Sequence, residues 1–161
     1  MNSKKLFIWG FLFMSVIGTL LHFVYEWSGN NSIVRLFAPW NESTWEHMKL
    51  LFFPMLALVL FLFFKLPEQS PIPVALSIGT LVGLALIPIL FYTYTGVLGF
   101  SVMAIDIAIF YISVLGAFLI GWFLNDNREL ANRRGLLLTC LVILFFIFSY
   151  YPPEIGLFQE P

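Results

Sequence analysis

His22 and Glu26 stand four residues apart, and Asn41, Glu42, Glu46 and His47 follow within one short segment. Imidazole and carboxylate are the groups that exchange protons or hold a divalent ion such as zinc, iron or manganese. A spacing of four puts His22 and Glu26 on one helical face and does the same for Glu42 and Glu46, with His47 adjacent. Ser15, Thr19, His22 and Glu26 continue that first face as a polar stripe, which in lipid must turn toward other helices or a wet cavity. Both histidines of the chain and three of its nine acids thus gather at one rim.

The expected ligand-binding set is His22, Glu26, Asn41, Glu42, Glu46, His47 and Asp106. Within it, His22, Glu26, Glu46 and His47 are the expected metal ligands. Structural roles compete with this reading. Ser43-x-x-Glu46 fits a capping box, in which serine hydroxyl and glutamate side chain satisfy free amides at a helix start. Glu42 in a first turn is favoured by the helix dipole, and a histidine at a membrane interface often only hydrogen-bonds and packs. His-x-x-x-Glu and Glu-x-x-x-Glu-His match neither a metalloprotease signature nor the Glu-x-x-His of di-iron bundles.

Asp106 interrupts the apolar run Val102–Ile109. An acid deep in a bilayer costs at least ~2.5–3.5 kcal/mol on insertion scales, so it is expected to be neutral, paired or wet. If its helix starts near Val97, Asp106 lies roughly 13 Å down at 1.5 Å per residue. Such a depth would let it reach the His22 and His47 site from below. Ser113, Ala117 and Gly121 continue its face, which should point inward.

The elements that position these residues follow from composition. Of 161 residues, 60% are hydrophobic and 11% charged, with mean hydropathy +0.93 and 19 Phe, 5 Trp and 6 Tyr. A soluble domain carries about 25% charged residues, so the chain reads as an integral membrane protein rather than a soluble or disordered one. A net charge of −1 argues against a nucleic-acid partner. A single cysteine, Cys140, excludes an internal disulfide and a dithiol redox cycle.

Five apolar spans are expected, at about 6–25, 45–64, 71–92, 97–124 and 135–151, in an all-α bundle forming a single transmembrane domain over 1–161. The first follows Lys4 and Lys5 but is too long for a signal-peptide core and lacks a small-residue cleavage site, so it is expected to be retained. The fourth is over-long, which implies tilt or a first turn that is loop. Pro54 and Pro88 are expected to kink the second and third. Trp27, Trp40 and Trp45 at one interface and Trp9 and Trp122 at the other read mostly as an aromatic belt. With the N-terminus in the cytoplasm and the C-terminus outside, inner segments hold Lys4, Lys5, Lys65, Arg128, Arg133 and Arg134, and outer ones only Arg35 and Lys49. The His/Glu rim then faces outward. Ala75, Gly79 and Gly83 form a small-residue ladder for close packing, within the bundle or, through the Gly79/Gly83 face, in a homo-oligomer or against a membrane partner.

The segment His22–Asn31, the run Asn41-Glu42-Ser43-x-Trp45-Glu46-His47 and the closing Pro152-Pro153-x-Ile155-x-Leu157-Phe158 resemble a family of small multipass bacterial membrane proteins known only as a domain of unknown function. The likeness covers nearly the whole chain. It implies a bacterial inner membrane and a C-terminus shortened relative to related chains, and it carries no activity.

Three functions fit. The first is binding or transport of an ion or small solute in the outward polar pocket. An open channel is disfavoured, because the second helix has no polar side chain between Lys49 and Lys65. The second is a membrane-embedded metal-dependent enzyme acting on a lipid or amphiphile through a metal-bound water. A Ser28 or Ser43 nucleophile paired with His47 lacks motif support. The third is an accessory or assembly protein of a membrane complex.

Overall fold

A computed structural model describes residues 3–131 and 138–160. Among the described residues, six α-helices run in the order α1 (Ser3–Trp27), α2 (Thr44–Lys65), α3 (Ile72–Leu98), α4 (Met103–Leu124), α5 (Arg128–Ala131) and α6 (Thr139–Tyr150), with short 3-10 turns at Val34–Leu36 and Gly156–Phe158. No strand occurs among the described residues. The helices α1 to α4 are each long and apolar enough to cross a membrane. The α6 helix has 12 residues, about 18 Å at 1.5 Å per residue, and the start of the fifth expected span at 135–137 lies outside the described residues, as do Arg133 and Arg134.

Local chemistry sets the helix ends. The α1 helix stops at Trp27, where Gly29 (φ +69°) and Asn30 (φ +61°) take left-handed conformations and their amides bond Glu26 O and Tyr25 O. Ser43 caps α2 by accepting a hydrogen bond from the Glu46 amide at 3.3 Å. The α3 helix runs on to Leu98, six residues past the expected end, and closes at Gly99 (φ +79°), whose amide donates to Thr95 O at 2.7 Å. The α4 helix therefore begins only at Met103, and the expected start of that span at 97 is corrected. Its over-length belonged to α3 and to the turn between the two helices.

The α3 and α4 helices form a tight antiparallel pair, with α2 against α3 and α1 against both α2 and α4. A Cβ on Gly79 would overlap the Ala117 carbonyl, and one on Gly83 would lie 2.8 Å from Ser113 O. The Gly79/Gly83 face is thus filled by the chain's own α4, which corrects the expectation that it offers a surface to a second copy or membrane partner. Ser113, Ala117 and Gly121 point inward as expected.

Met14, Leu51, Met55, Leu76 and Val114 form the sealed centre of the bundle. The α6 helix joins it through aromatic contacts. Phe145 stacks on Phe52 and lies against Trp45, both with ring centroids 4.6 Å apart. Trp45 also meets Phe158 of the C-terminal tail at 4.9 Å and is buried, so it is a core residue rather than part of an interfacial belt.

Candidate functional site

The end of α1, the starts of α2 and α4, the end of α3 and the end of α6 all meet at one end of the bundle. His22 lies on the penultimate turn of α1, and His47 lies on the first turn of α2, with ring centroids 5.4 Å apart. Glu42 sits in the loop just before the α2 cap and reaches to 3.4 Å between its Oε2 and His47 Nε2. One ligand atom each from His22, Glu42 and His47 falls within 4.8 Å of the other two.

The protons on these groups can be assigned. His47 Nδ1 is 3.0 Å from Ser43 O, and a carbonyl only accepts, so Nδ1 carries the hydrogen. In the neutral ring, Nε2 then presents a lone pair toward the Glu42 carboxylate. His22 Nδ1 is buried and has no hydrogen-bond partner among the described residues. Two imidazoles and a carboxylate therefore converge, and a proton or a cation between them would satisfy the lone pairs they present. When His47 is protonated at Nε2 as well, it donates to Glu42 and holds that carboxyl below the usual carboxylate range, against a smaller upward push from burial.

The donor set fits a divalent transition metal. Zinc bonds to nitrogen and oxygen of about 2.0–2.1 Å in a tetrahedron place neighbouring ligand atoms about 3.3–3.4 Å apart, close to the 3.4 Å between His47 and Glu42. The anchoring of His47 Nδ1 on a backbone carbonyl is the outer-shell bond that orients metal-ligating histidines. His22 has a further ångström or so to close, within reach of a rotamer adjustment.

The other expected site residues are placed differently. Glu46 turns away from the histidines into the protein, where its Oε2 meets Lys49 Nζ at 2.6 Å and the Trp40 amide at 3.3 Å. The capping box is accordingly half formed. Ser43 caps the Glu46 amide, but Asn41 Oδ1, not Glu46, accepts from the Ser43 amide at 3.1 Å. Glu26 stays outside the three-residue cluster. It lines a cleft of about 110 Å³ beside it with His22, Trp40, Asn41 and Glu42.

Asp106 is in the first turn of α4, not two turns down, and accepts a hydrogen bond from the Tyr94 hydroxyl. That hydroxyl in turn accepts from the Val102 amide at 3.0 Å. Asp106 is close enough to act electrostatically on His47, but it is not one of the three clustered ligands.

Lys49 is the residue that sequence reasoning missed. It counted there only as an outer charge, yet it is wholly buried and directs its ammonium to Glu46, to Arg35 O at 2.8 Å and to Ser149 Oγ at 2.6 Å. The i, i+3 spacing from Glu46 was the available signal. No local signal marks Ser149, a hundred residues away on α6. Arg35 completes the loop, its guanidinium 3.7 Å from the Trp40 ring centroid and 5.0 Å from that of Tyr150.

The model of a family of unknown function, DUF6512, matches residues 1–161. The chain belongs to the DUF6512 family. No match was found among curated proteins or among solved structures. In this DUF6512 chain the geometry of the site is what bears on function.

Proposed function

We propose that this membrane protein binds a divalent transition-metal ion, of the zinc, iron or manganese class, through His22, Glu42 and His47 at the outward end of its bundle. The observation that carries the reading is the convergence of three electron-pair donors within 4.8 Å, with His47 Nδ1 already committed to Ser43 O. Lysine and arginine concentrated at the opposite end support an outward cluster, with N-terminus inside, C-terminus outside and the α6 segment as a fifth span.

Binding is favoured over passage. The bundle centre below the cluster is closed by Met14, Leu51, Met55 and Val114, all fully buried, and these side chains offer an ion neither carboxylate nor imidazole. Binding is also favoured over chemistry on a lipid. The adjoining cleft of about 110 Å³ admits water or a small ion, whereas organic ligands of drug size occupy about 300–1,000 Å³. An accessory role remains compatible with a metal that pins the loop 28–43 to α1 and α2.

The test is metal analysis of protein purified in mild detergent and equilibrated separately with zinc, iron(II) or manganese(II). One ion per chain is expected, lost in His22→Ala, Glu42→Ala and His47→Ala and retained in Glu26→Gln. Metal-free wild-type protein, or binding indifferent to both histidine substitutions, would overturn the proposal.

A further inference from the structure

A second cleft opens at the same end of the bundle, between the last turns of α3, the turn that follows it and the C-terminal tail. Its volume is about 330 Å³, and Phe91, Tyr92, Thr95, Phe100, Gln159 and Glu160 line it together with three small residues. None of the residues of the metal cluster takes part.

Three features make the α3 and tail sides of this cleft negative. The C-terminus of α3 ends at its edge, and the last carbonyls of a helix carry partial negative charge. The last turn of α3 holds no basic residue to neutralise it. Glu160 adds a full negative charge, and no Lys or Arg occurs among the described lining residues. The walls are aromatic: the Phe91 and Tyr92 rings meet at 80° with centroids 5.3 Å apart, forming a corner. The tail is seated on this corner, since a Cβ on Gly156 would lie 4.0 Å from the Tyr92 hydroxyl.

Aromatic faces attract cations through the ring quadrupole, and aromatic walls recognise quaternary ammonium groups in particular. A small, strongly hydrated divalent ion favours several carboxylate oxygens, and Glu160 is the one carboxylate among the described lining residues, beside the neutral oxygens of Tyr92, Thr95, Ser101 and Gln159. A neutral apolar guest would gain nothing from the carboxylate and the helix end.

We propose that the cleft formed by the end of α3 and the C-terminal tail binds an alkylammonium cation of the trimethylammonium type. Free choline-like solutes and phosphocholine lipid headgroups present this same group, and the cleft lies at a bundle end where either could reach it.

The experiment uses the full chain in phosphatidylglycerol nanodiscs, titrated calorimetrically with choline and with 3,3-dimethylbutan-1-ol, its neutral isostere. Choline should bind at least about fivefold more tightly than the isostere, and both Tyr92→Leu and Glu160→Gln should weaken it by a similar factor. Tyr92 is exposed and Glu160 lies in the terminal tail, so neither change removes a core contact. Phosphatidylcholine is then introduced into the discs. Competition with choline assigns the site to a lipid headgroup, and its absence assigns it to a free solute. Equal binding of the two probes, no binding of choline, or binding unaltered in both variants would overturn the proposal. Because His22 and His47 are not involved, loss of the metal reading leaves this result unchanged.

Discussion

Lys49 Nζ lies 2.6 Å from Glu46 Oε2, with the two side chains 0% and 3% exposed. The pair links the start of α2 to the 28–43 loop through Arg35 O and to α6 through Ser149 Oγ. Removing one member of such a pair strands the other charge away from water. Lys49→Met is expected to lower stability by about 3–5 kcal/mol, and adding Glu46→Gln should recover a substantial part by removing the stranded charge. Thermal unfolding of wild type and the two variants in one detergent checks this. Equal losses in the single and double variants would contradict the electrostatic account.

Glu42 gives a pH dependence of defined sign. His47 holds its carboxyl below the ordinary value of 4.5. A carboxylate with a depressed folded-state pKa contributes stability that is fully present above its unfolded value and is lost as pH falls through the folded one. With His47 protonated, wild type should therefore be more stable than Glu42→Gln above the carboxylate range, and the difference should vanish as pH falls below it. Unfolding midpoints of both proteins across an acid series, without added metal, measure it. A gap that persists at the acid end would remove the His47–Glu42 contact as its cause.

The α3–α4 seam predicts a contrast between two glycines of one helix. A methyl group on Gly79 meets the Ala117 backbone, which cannot give way without parting the helices. Gly96 has nothing within 4 Å of the same position. Gly79→Ala should cost about 1–3 kcal/mol or more through overpacking. Gly96→Ala should be neutral or stabilising by up to about 1 kcal/mol, since alanine is the better helix former. Unfolding of both variants side by side provides the check.

Asp106 is an acceptor for the Tyr94 hydroxyl, which itself receives the Val102 amide. Asparagine keeps an acceptor oxygen, so Asp106→Asn should fold with a loss under about 1 kcal/mol. Asp106→Leu leaves the hydroxyl without its acceptor and should cost about 1–3 kcal/mol. A severe folding defect in Asp106→Asn would show that the charge, rather than the acceptor, is needed there.

The apolar runs, separated by polar and proline-rich turns, made the helices α1 to α4 legible from sequence, because a backbone in lipid must satisfy its own hydrogen bonds and a helix does so within one segment. The rim was legible for the complementary reason. Costly side chains in a chain this apolar stand out by position, and His22, Glu42 and His47 all belonged to the expected set. Helical spacing shows which residues share a face but not how that face is turned against its neighbours. It therefore favoured Glu46 over Glu42 as a partner of the histidines, and it put Asp106 too deep because the turn at Gly99 is set by a single left-handed residue within a mostly apolar stretch.

Sequence alone thus determined the membrane class, the end of the bundle where polar groups collect and the candidate ligand types. Tertiary structure decided which carboxylate joins the histidines. Lys49 holds Glu46 inward only because Ser149 and the Arg35 carbonyl occupy its remaining donors, and that arrangement unites segments 14 and 100 residues away. Glu42, in the loop before the helix, is thereby left as the carboxylate beside His47. Spacing within one helix carries no information about such distant contacts, and they fix where each costly charge finds its partner.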